Sequence, residues 1–241
     1  MLLPLAVVAA ITSAGILAPD HYYWQGHIPA GQSIEINGVY GSIRAEPASG
    51  DRAEVRAFSS GRQMDSSEVQ VEMLQRPDGI MFRAHYPELQ PGNVRIDFRV
   101  RVPKGVRFIG RTVNGSVEAL SLRSDASAYT INGDVSVRTA GEAHAETVNG
   151  SIRAFLGRTW SKRSQQFSTV NGGITLEMPS RVNAVIRAQT LHGGISTDFR
   201  VPVQNRQAGR SATGALGRGG PEVKVNTVNG DIHLRRAVMT L

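Results

Sequence analysis

The chain has 241 residues, no cysteine, a formal net charge of +7 and 6% aromatic residues. This length suffices for one large domain or two modest ones with a real core. Without cysteine, disulfides, thiol nucleophiles, zinc–thiolate sites and iron–sulfur sites are excluded. Because the basic residues are dispersed arginines and aromatics are sparse, we expect no nucleic-acid partner. The charge points to an anionic partner.

The first eighteen residues, MLLPLAVVAAITSAGILA, contain no charged side chain. Small residues at Thr12 and Ala14 are typical of signal-peptidase sites, and Pro4 disfavours a long spanning helix. We therefore predict that residues 1–18 form a signal peptide and that the protein is exported to the periplasm or cell surface. A retained anchor and a cytosolic location stay open, because no Lys or Arg precedes the apolar run. Membrane contact is expected only through an uncleaved leader.

Segments with apolar residues at every second position fill residues 30–108. In NVRIDFRVRVPKGVRF, for example, Ile96, Phe98 and Val100 alternate with charged residues and are predicted to face inward. Gly- and Pro-rich stretches such as EPASGD and ELQPGN separate the segments as turns. No stretch past the leader has a helical period. We predict an all-β fold whose amino-terminal region, 30–108, is a set of mostly antiparallel strands.

A six-residue motif then recurs six times, as TVNGSV, TINGDV, TVNGSI, TVNGGI, TLHGGI and TVNGDI. Its threonines are 18, 17, 22, 21 and 37 residues apart. Self-similarity at about twenty residues is typical of a solenoid, whose units bury their apolar sides by stacking. We predict a β-solenoid of about six or seven coils over 109–241. The long last interval is interpreted as a flexible loop, residues 204–221, inserted in one coil.

Asn-Gly is the strongest two-residue hairpin motif, but the flanking residues argue against six hairpins. A hairpin would pair a large apolar residue with a small or charged one in every copy, such as Val113 with Ser116. A bend without chain reversal allows Val113 and Val117 to face inward while Thr112 and Ser116 face outward. We therefore predict that the motif is the corner of a coil.

Stacked corners would align their asparagines along one edge, where side-chain amides can bond from coil to coil about 4.8 Å apart. His192 replaces asparagine in one copy and is expected to keep the rung, with a break in the ladder. The predicted corner residues are Asn114, Gly115, Asn132, Gly133, Asn149, Gly150, Asn171, Gly172, His192, Gly193, Asn229 and Gly230.

Alternating amino-terminal strands, the segment VRVPKGVRF, repeated TVNGSV-type units and the closing GGPEVKVNTVNGDIHL together resemble a known family. This is the bacterial putative-adhesin family of β-strand-repeat domains, long catalogued as a domain of unknown function. The resemblance covers about residues 30–241. It implies a right-handed β-solenoid, an exported or envelope-facing location and no established enzyme activity. The family supplies no catalytic residues to transfer.

Motifs for chemistry are mostly missing. GALGRGG at 214–220 lacks the helix that a phosphate-binding loop needs, and the six histidines lack the spacing of a zinc site. Asp134 and Asp231 are interpreted as exposed turn residues rather than calcium ligands. We expect no cofactor, no metal and no catalytic site. A polysaccharide-active β-helix enzyme stays the alternative, since acids on different coils could form a cleft.

The remaining candidate for a functional site is a surface that contacts a partner. GRTWSKR lies in the longer interval between the third and fourth motifs, so Trp160, Arg158, Lys162 and Arg163 are a possible partner contact. The alternative is that Trp160 folds back onto its own loop. We predict a non-enzymatic, adhesin-like or scaffold protein of the cell envelope. Its expected partners are envelope polysaccharide, an anionic surface or itself, a self-assembling scaffold being a further alternative.

Overall fold

The computed structural model describes residues 21–61, 70–86, 94–157, 163–206 and 209–237. These ranges contain 21 β-strands and no helix, which confirms the all-β class. Over the same ranges, the search for a helix long and apolar enough to cross a membrane finds none. The predicted leader, residues 1–18, lies outside the described residues. The strands form sheet A, with ten strands, and sheet B, with eleven.

Eight strand pairs stack to build the body of the molecule, and each pair places one strand in sheet B and the next in sheet A. In stacking order they are β6 (Gly79–His85) with β7 (Val94–Val102), β2 (Ser33–Asn37) with β3 (Ile43–Pro47), β8 (Arg107–Arg111) with β9 (Val117–Leu122), β10 (Ala126–Tyr129) with β11 (Val135–Thr139), β12 (Ala143–Glu146) with β13 (Ile152–Leu156), β14 (Gln165–Asn171) with β15 (Ile174–Met178), β20 (Glu222–Asn229) with β21 (Ile232–Arg236), and β16 (Ala184–His192) with β17 (Ile195–Thr197). Neighbouring pairs run parallel in both sheets. The chain is therefore the predicted β-solenoid. Its carboxyl-terminal part, from β8 onward, forms six coils as predicted, and β2–β3 and β6–β7 add two more.

Antiparallel strands extend both sheets at one end of the stack and sheet B at the other. At one end β4 (Arg52–Gly61) pairs with β7 and β1 (His21–His27) pairs with β4, while β5 (Gln70–Arg76) pairs with β6. At the other end β19 (Gly209–Leu216) pairs with β16, and β18 (Val203–Arg206) pairs with β19. Three of the four coil edges are therefore covered, whereas β17 is the last described strand of sheet A and leaves a short edge for further pairing.

The coils do not stack in chain order. The last coil in sequence, β20–β21, lies between β14–β15 and β16–β17, and the first, β2–β3, lies between β6–β7 and β8–β9. The coils at the two ends of the solenoid, β6–β7 and β16–β17, are therefore not the first and last coils in the sequence. A final coil left open at the carboxyl end, which would favour self-assembly, is not what the described residues show.

The core lies between the two sheets and follows the alternation of the strands. Ile96, Phe98, Val100 and Val102 of β7 are buried as predicted. The interior between the two sheets is narrow, and the core is built mostly from Val, Ile and Ala. Its largest fully buried side chains are Phe82, Phe98, Phe108 and Phe167. These buried residues form one continuous cluster from the first coil to the last.

Two predictions about organisation need correction. Residues 30–108 do contain the antiparallel pairs β4–β7 and β5–β6, but β2, β3, β6 and β7 are parallel members of the solenoid. An alternating pattern shows which side chains face inward but not which strand is the neighbour. Residues 204–221 are not a flexible loop, because they contain most of β18 and all of β19. Ala212 and Leu216 of β19 are buried, an alternation that the Gly- and Arg-rich composition conceals.

Candidate functional site

The repeated motif forms one edge of the solenoid, where the chain passes from sheet B to sheet A. Seven corners stack there, between β2 and β3 at one end and between β16 and β17 at the other. We call this stack the corner column. Since the strands before and after each motif belong to different sheets, the motif is a bend and not a hairpin.

Threonine is the buried residue of each corner. The six motif threonines are 3–6% exposed, and each hydroxyl donates a hydrogen bond to a glycine carbonyl in the adjacent coil. The pairs are Thr112 to Gly41 (3.0 Å), Thr130 to Gly115 (2.8 Å), Thr147 to Gly133 (2.9 Å), Thr169 to Gly150 (2.9 Å), Thr227 to Gly172 (2.9 Å) and Thr190 to Gly230 (2.8 Å). The threonine therefore joins one coil to the next.

The aliphatic residue after five of the six threonines is exposed, and Val113 is half-buried, whereas it was expected to face inward. Ile131 is 45% exposed and Leu191 46%, with Val148, Val170 and Val228 between 37% and 39%. The threonine and the residue after it thus have the opposite alternation from the one predicted, while Val117 is buried as predicted. The reason is that threonine fits the narrow corner and its hydroxyl satisfies a buried carbonyl, which valine does not.

The asparagines form a hydrogen-bonded ladder beside this exposed aliphatic row. Each side-chain amide nitrogen donates to the amide oxygen of the neighbouring rung: Asn132 to Asn114 (2.9 Å), Asn149 to Asn132 (2.8 Å), Asn171 to Asn149 (2.8 Å) and Asn229 to Asn171 (2.8 Å). The His192 ring nitrogen Nδ1 lies 3.1 Å from the amide oxygen of Asn229. His192 is the terminal rung, so it ends the ladder rather than interrupting it.

Glycine is required at the next position because adjacent coils approach too closely for a side chain. A Cβ placed on Gly150 would lie 2.5 Å from the carbonyl carbon of Gly133 and would also meet its oxygen, and the other motif glycines have the same conflict. Positive φ adds a second reason at Gly115 and Gly133 (158° and 157°). Among the described non-glycine residues only Ser121 has positive φ, so the asparagines do not need it.

One corner was missed by the sequence analysis. The segment GVYGSI, residues 38–43, occupies the first rung, with Tyr40 in the place of asparagine and Gly41 in the place of the motif glycine. The detectable pattern was Val-x-Gly-Ser-Ile. Aligned with TVNGSI, the segment has the same residue at four of six positions. It was overlooked because threonine and asparagine, the more conspicuous residues, are both replaced.

Side chains cap both ends of the corner column. The Tyr40 backbone N–H donates to the Tyr86 hydroxyl (3.1 Å), which itself donates to the Tyr40 carbonyl (2.8 Å). Burial raises the pKa of Tyr86, which keeps this hydroxyl protonated as a donor. At the other end, the guanidinium of Arg210 donates to the Gly193 carbonyl (2.6 Å). The column therefore ends in satisfied backbone groups.

The proposed partner contact around the tryptophan is only partly described. Arg158, Trp160 and Lys162 lie outside the described residues. Arg163 is exposed, and its guanidinium is 3.5 Å from a carboxylate oxygen of Glu142. The structure thus brings Arg163 to the outer face of sheet B.

A second candidate surface lies on the outer face of sheet A. A shallow depression of about 580 Å³ lies over β3, β4 and β7 and is lined by Arg44, Glu46, Glu54, Arg56, Phe58, Arg99, Val100 and Arg101. Glu46 accepts ion pairs from Arg44 (2.8 Å) and Arg101 (2.7 Å). The hydrogen bond from Arg44, together with the positive charges nearby, lowers the pKa of Glu46. Four arginines and two glutamates line this depression, so its net charge is positive.

Groups that could perform chemistry are scattered. Ser196 Oγ lies 2.7 Å from His233 Nδ1, but no described carboxylate bonds to His233 to orient it, as nucleophilic catalysis requires. Within the described ranges, no group of three or more His, Asp or Glu residues is placed to hold a metal ion. The two calcium candidates, Asp134 and Asp231, instead accept backbone N–H groups of Ser151 and Gly194 (2.8 and 2.6 Å).

Comparisons with known proteins match the chain to a family. Residues 32–235 match the model of the Toastrack DUF4097 family. A putative cell adhesion protein from Clostridium sporogenes aligns with TM-score 0.48 and 11% identity, covering 90% of this chain and 100% of that one. A putative adhesin from Bacteroides fragilis gives 0.35 and 10%, covering 90% and 97%, and one from Parabacteroides distasonis gives 0.27 and 6%, covering 89% and 96%.

Comparison with the curated proteins gave no significant match. The family match includes every rung of the corner column and confirms the resemblance that the motifs suggested. The chain belongs to the Toastrack DUF4097 family, a family of β-strand-repeat domains of unknown function.

Proposed function

We propose that this chain is a non-enzymatic, adhesin-like binding module of the bacterial cell envelope, and that it binds an anionic envelope polymer on the outer face of sheet A. The observation that carries the proposal is the charge on that face. Exposed arginines stand on six of its strands, at Arg44, Arg56, Arg99, Arg138, Arg153 and Arg235. A rigid, basic face with regular strand spacing suits an extended polyanion.

The stiffness of the solenoid supports this role. The threonine and asparagine ladders join seven corners by side-chain hydrogen bonds, in addition to the backbone pairing of both sheets. The strands fix the backbone positions of the side chains on such a face, so a repetitive ligand meets them at a constant spacing and only the side chains have to be ordered on binding. Export to the periplasm or cell surface is part of the proposal.

The two alternative functions have less support. Self-assembly by end-to-end stacking needs an open coil edge, and among the described strands the solenoid leaves one that is only three residues long, β17, because antiparallel strands cover the other three coil edges. Polysaccharide cleavage needs two acids converging on one cleft. The acids of the basic depression, Glu46 and Glu54, are instead ion-paired to arginines, which favours holding a ligand over cleaving it.

The test is binding of the purified protein to an array of bacterial envelope polysaccharides and to anionic lipid vesicles at low and raised salt. We expect selective polysaccharide binding that weakens with salt but persists. Self-association is measured by sedimentation, and cleavage is measured by the release of reducing sugar ends. Concentration-dependent polymers without ligand binding would replace the proposal with the scaffold, and released sugar ends would replace it with the enzyme.

A further inference from the structure

The basic depression on sheet A contains a row of like charges. Arg99 of β7 is the direct cross-strand partner of Arg56 of β4 on one side and of Arg44 of β3 on the other. Neighbouring strands are about 4.8 Å apart, and like charges directly opposite each other are destabilising. Three adjacent arginines are thus an arrangement that folding alone does not favour.

The next row of the same strands shows the balanced alternative. There Arg101 of β7 lies between Glu54 of β4 and Glu46 of β3, so the charges alternate. The two rows are two residues apart on the same face of the same sheet. The excess positive charge is therefore specific to the row of Arg56, Arg99 and Arg44.

Arg99, at the centre of that row, has no ion pair with any described residue. Arg44 is paired with Glu46 (2.8 Å) and Glu118 (3.2 Å), and Arg56 with Glu54. The Arg99 guanidinium instead lies over the ring of Phe58, 5.0 Å from its centre. This contact holds the guanidinium beside the ring without using an ion pair, so its N–H groups can bind a ligand. A guanidinium held in this way matches a carboxylate in bidentate geometry.

Side chains near the Arg99 guanidinium could contact the apolar face and the hydroxyls of a sugar. Tyr23, 53% exposed, lies beside Arg56, whose guanidinium is 5.2 Å from the ring centre. The Tyr23 ring, next to the depression, can pack against the C–H side of a sugar. The carboxylates of Glu46 and Glu54 can accept hydrogen bonds from sugar hydroxyls. Groups that bind an anion, an apolar sugar face and hydroxyls therefore occur in the depression or beside it.

We infer that this depression binds a carboxylate-bearing polysaccharide, with Arg99 holding a uronate carboxylate. The inference rests on the proposed function and names its site and ligand class. An anionic membrane fits less well, because a flat lipid surface does not reach into a depression. A sugar chain is narrow enough to lie in the depression across β4, β7 and β3.

The experiment compares Arg99→Gln with the matched control Arg111→Gln in the full chain. Arg111 is also an exposed arginine whose guanidinium lies over an aromatic ring, 4.1 Å from the centre of Tyr129, but it belongs to β8 in sheet B, away from the proposed binding face. The probes are polygalacturonate, its methyl-esterified form and vesicles containing phosphatidylglycerol. Melting temperatures check folding, and Arg99→Lys keeps the charge while removing the planar fork.

We expect polygalacturonate to bind, the ester to bind far more weakly, and Arg99→Gln to weaken binding roughly ten- to a hundredfold, the loss of one charged hydrogen-bonded contact. Arg111→Gln should change the affinity less than about twofold, and Arg99→Lys should lie between the two glutamine variants. Equal losses in both glutamine variants, or a loss seen only for vesicles, would overturn the inference. If the wild type binds envelope polysaccharide and Arg99→Gln binds it equally well, the site is wrong but the proposed function stands. If the wild type binds no envelope polymer at all, both are wrong.

Discussion

The guanidinium of Arg210 donates a 2.6 Å hydrogen bond to the carbonyl oxygen of Gly193. In every earlier rung the equivalent carbonyl accepts the hydroxyl of the next threonine, as Gly115 does from Thr130. Arg210 belongs to β19, the antiparallel strand that closes this end of sheet B. At this end of the column, Arg210 from β19 thus makes the hydrogen bond that a threonine of the next coil makes at every earlier rung. The column ends at this arginine.

The threonine ladder is predicted to contribute measurably to stability. Thr130→Val keeps the shape of the side chain but leaves the Gly115 carbonyl without the hydroxyl that it accepts at 2.8 Å. We expect a loss of about 1–2 kcal/mol in the free energy of unfolding, since an unsatisfied buried acceptor costs more than the added methyl group returns. Urea denaturation measures it. Ile131→Thr, at the 45% exposed neighbour, is the control and should stay within about 0.5 kcal/mol.

The glycine column is predicted to be intolerant of any side chain. In Gly150→Ala the new Cβ would lie 2.5 Å from the Gly133 carbonyl carbon. Because the conflict is with backbone, no rotamer relieves it, and we expect a loss of about 2–4 kcal/mol in the free energy of unfolding. Gly50→Ala, whose Cβ would have no atom within 4 Å, is the matched control. Equal melting temperatures for the two variants would contradict the close packing of the rungs.

The Tyr86 hydroxyl is predicted to secure the first rung. Tyr86→Phe removes both the acceptor of the Tyr40 N–H and the donor to the Tyr40 carbonyl. We expect a loss of about 1–2 kcal/mol in unfolding free energy and faster amide hydrogen exchange at Tyr40. Tyr129→Phe is the control, because none of the described residues bonds its hydroxyl and its contact is ring stacking with Arg111 at 4.1 Å. A similar cost for both variants would mean that lost packing, not capping, is responsible.

The Asp198 carboxylate makes a pH-dependent contribution. The Arg236 backbone N–H (3.0 Å), helped by the Arg235 side chain (3.3 Å), lowers the pKa of Asp198 below its ordinary value. A lowered folded-state pKa means that the contribution is complete above the unfolded-state pKa of about 3.9 and is lost as pH falls through the folded value. The melting-temperature difference between wild type and Asp198→Asn should therefore be constant from neutral pH to about pH 4 and shrink below it. A difference that grows in acid would contradict the assignment, and the exposed Asp51→Asn serves as control.

Sequence alone determined the fold class, the corner positions and much of the core. The alternation in β7 placed Ile96, Phe98 and Val100 in the interior, because a strand with one buried face must alternate. The six motifs located the corners, since stacking identical bends requires glycine at the close approach. These features depend only on local chain geometry, which each segment carries in its own residues.

Only the tertiary structure decided which coils are neighbours and which residue of each corner is buried. Parallel strands pair through backbone groups that every residue has, so nothing in the motif TVNGDI shows that β20–β21 lies between β14–β15 and β16–β17. Thr112 and Val113 occupy successive positions whose inward side depends on the register of the bend. The row of Arg56, Arg99 and Arg44 likewise joins residues far apart in the chain. Sequence spacing cannot show such a row, because it exists only once three strands lie side by side.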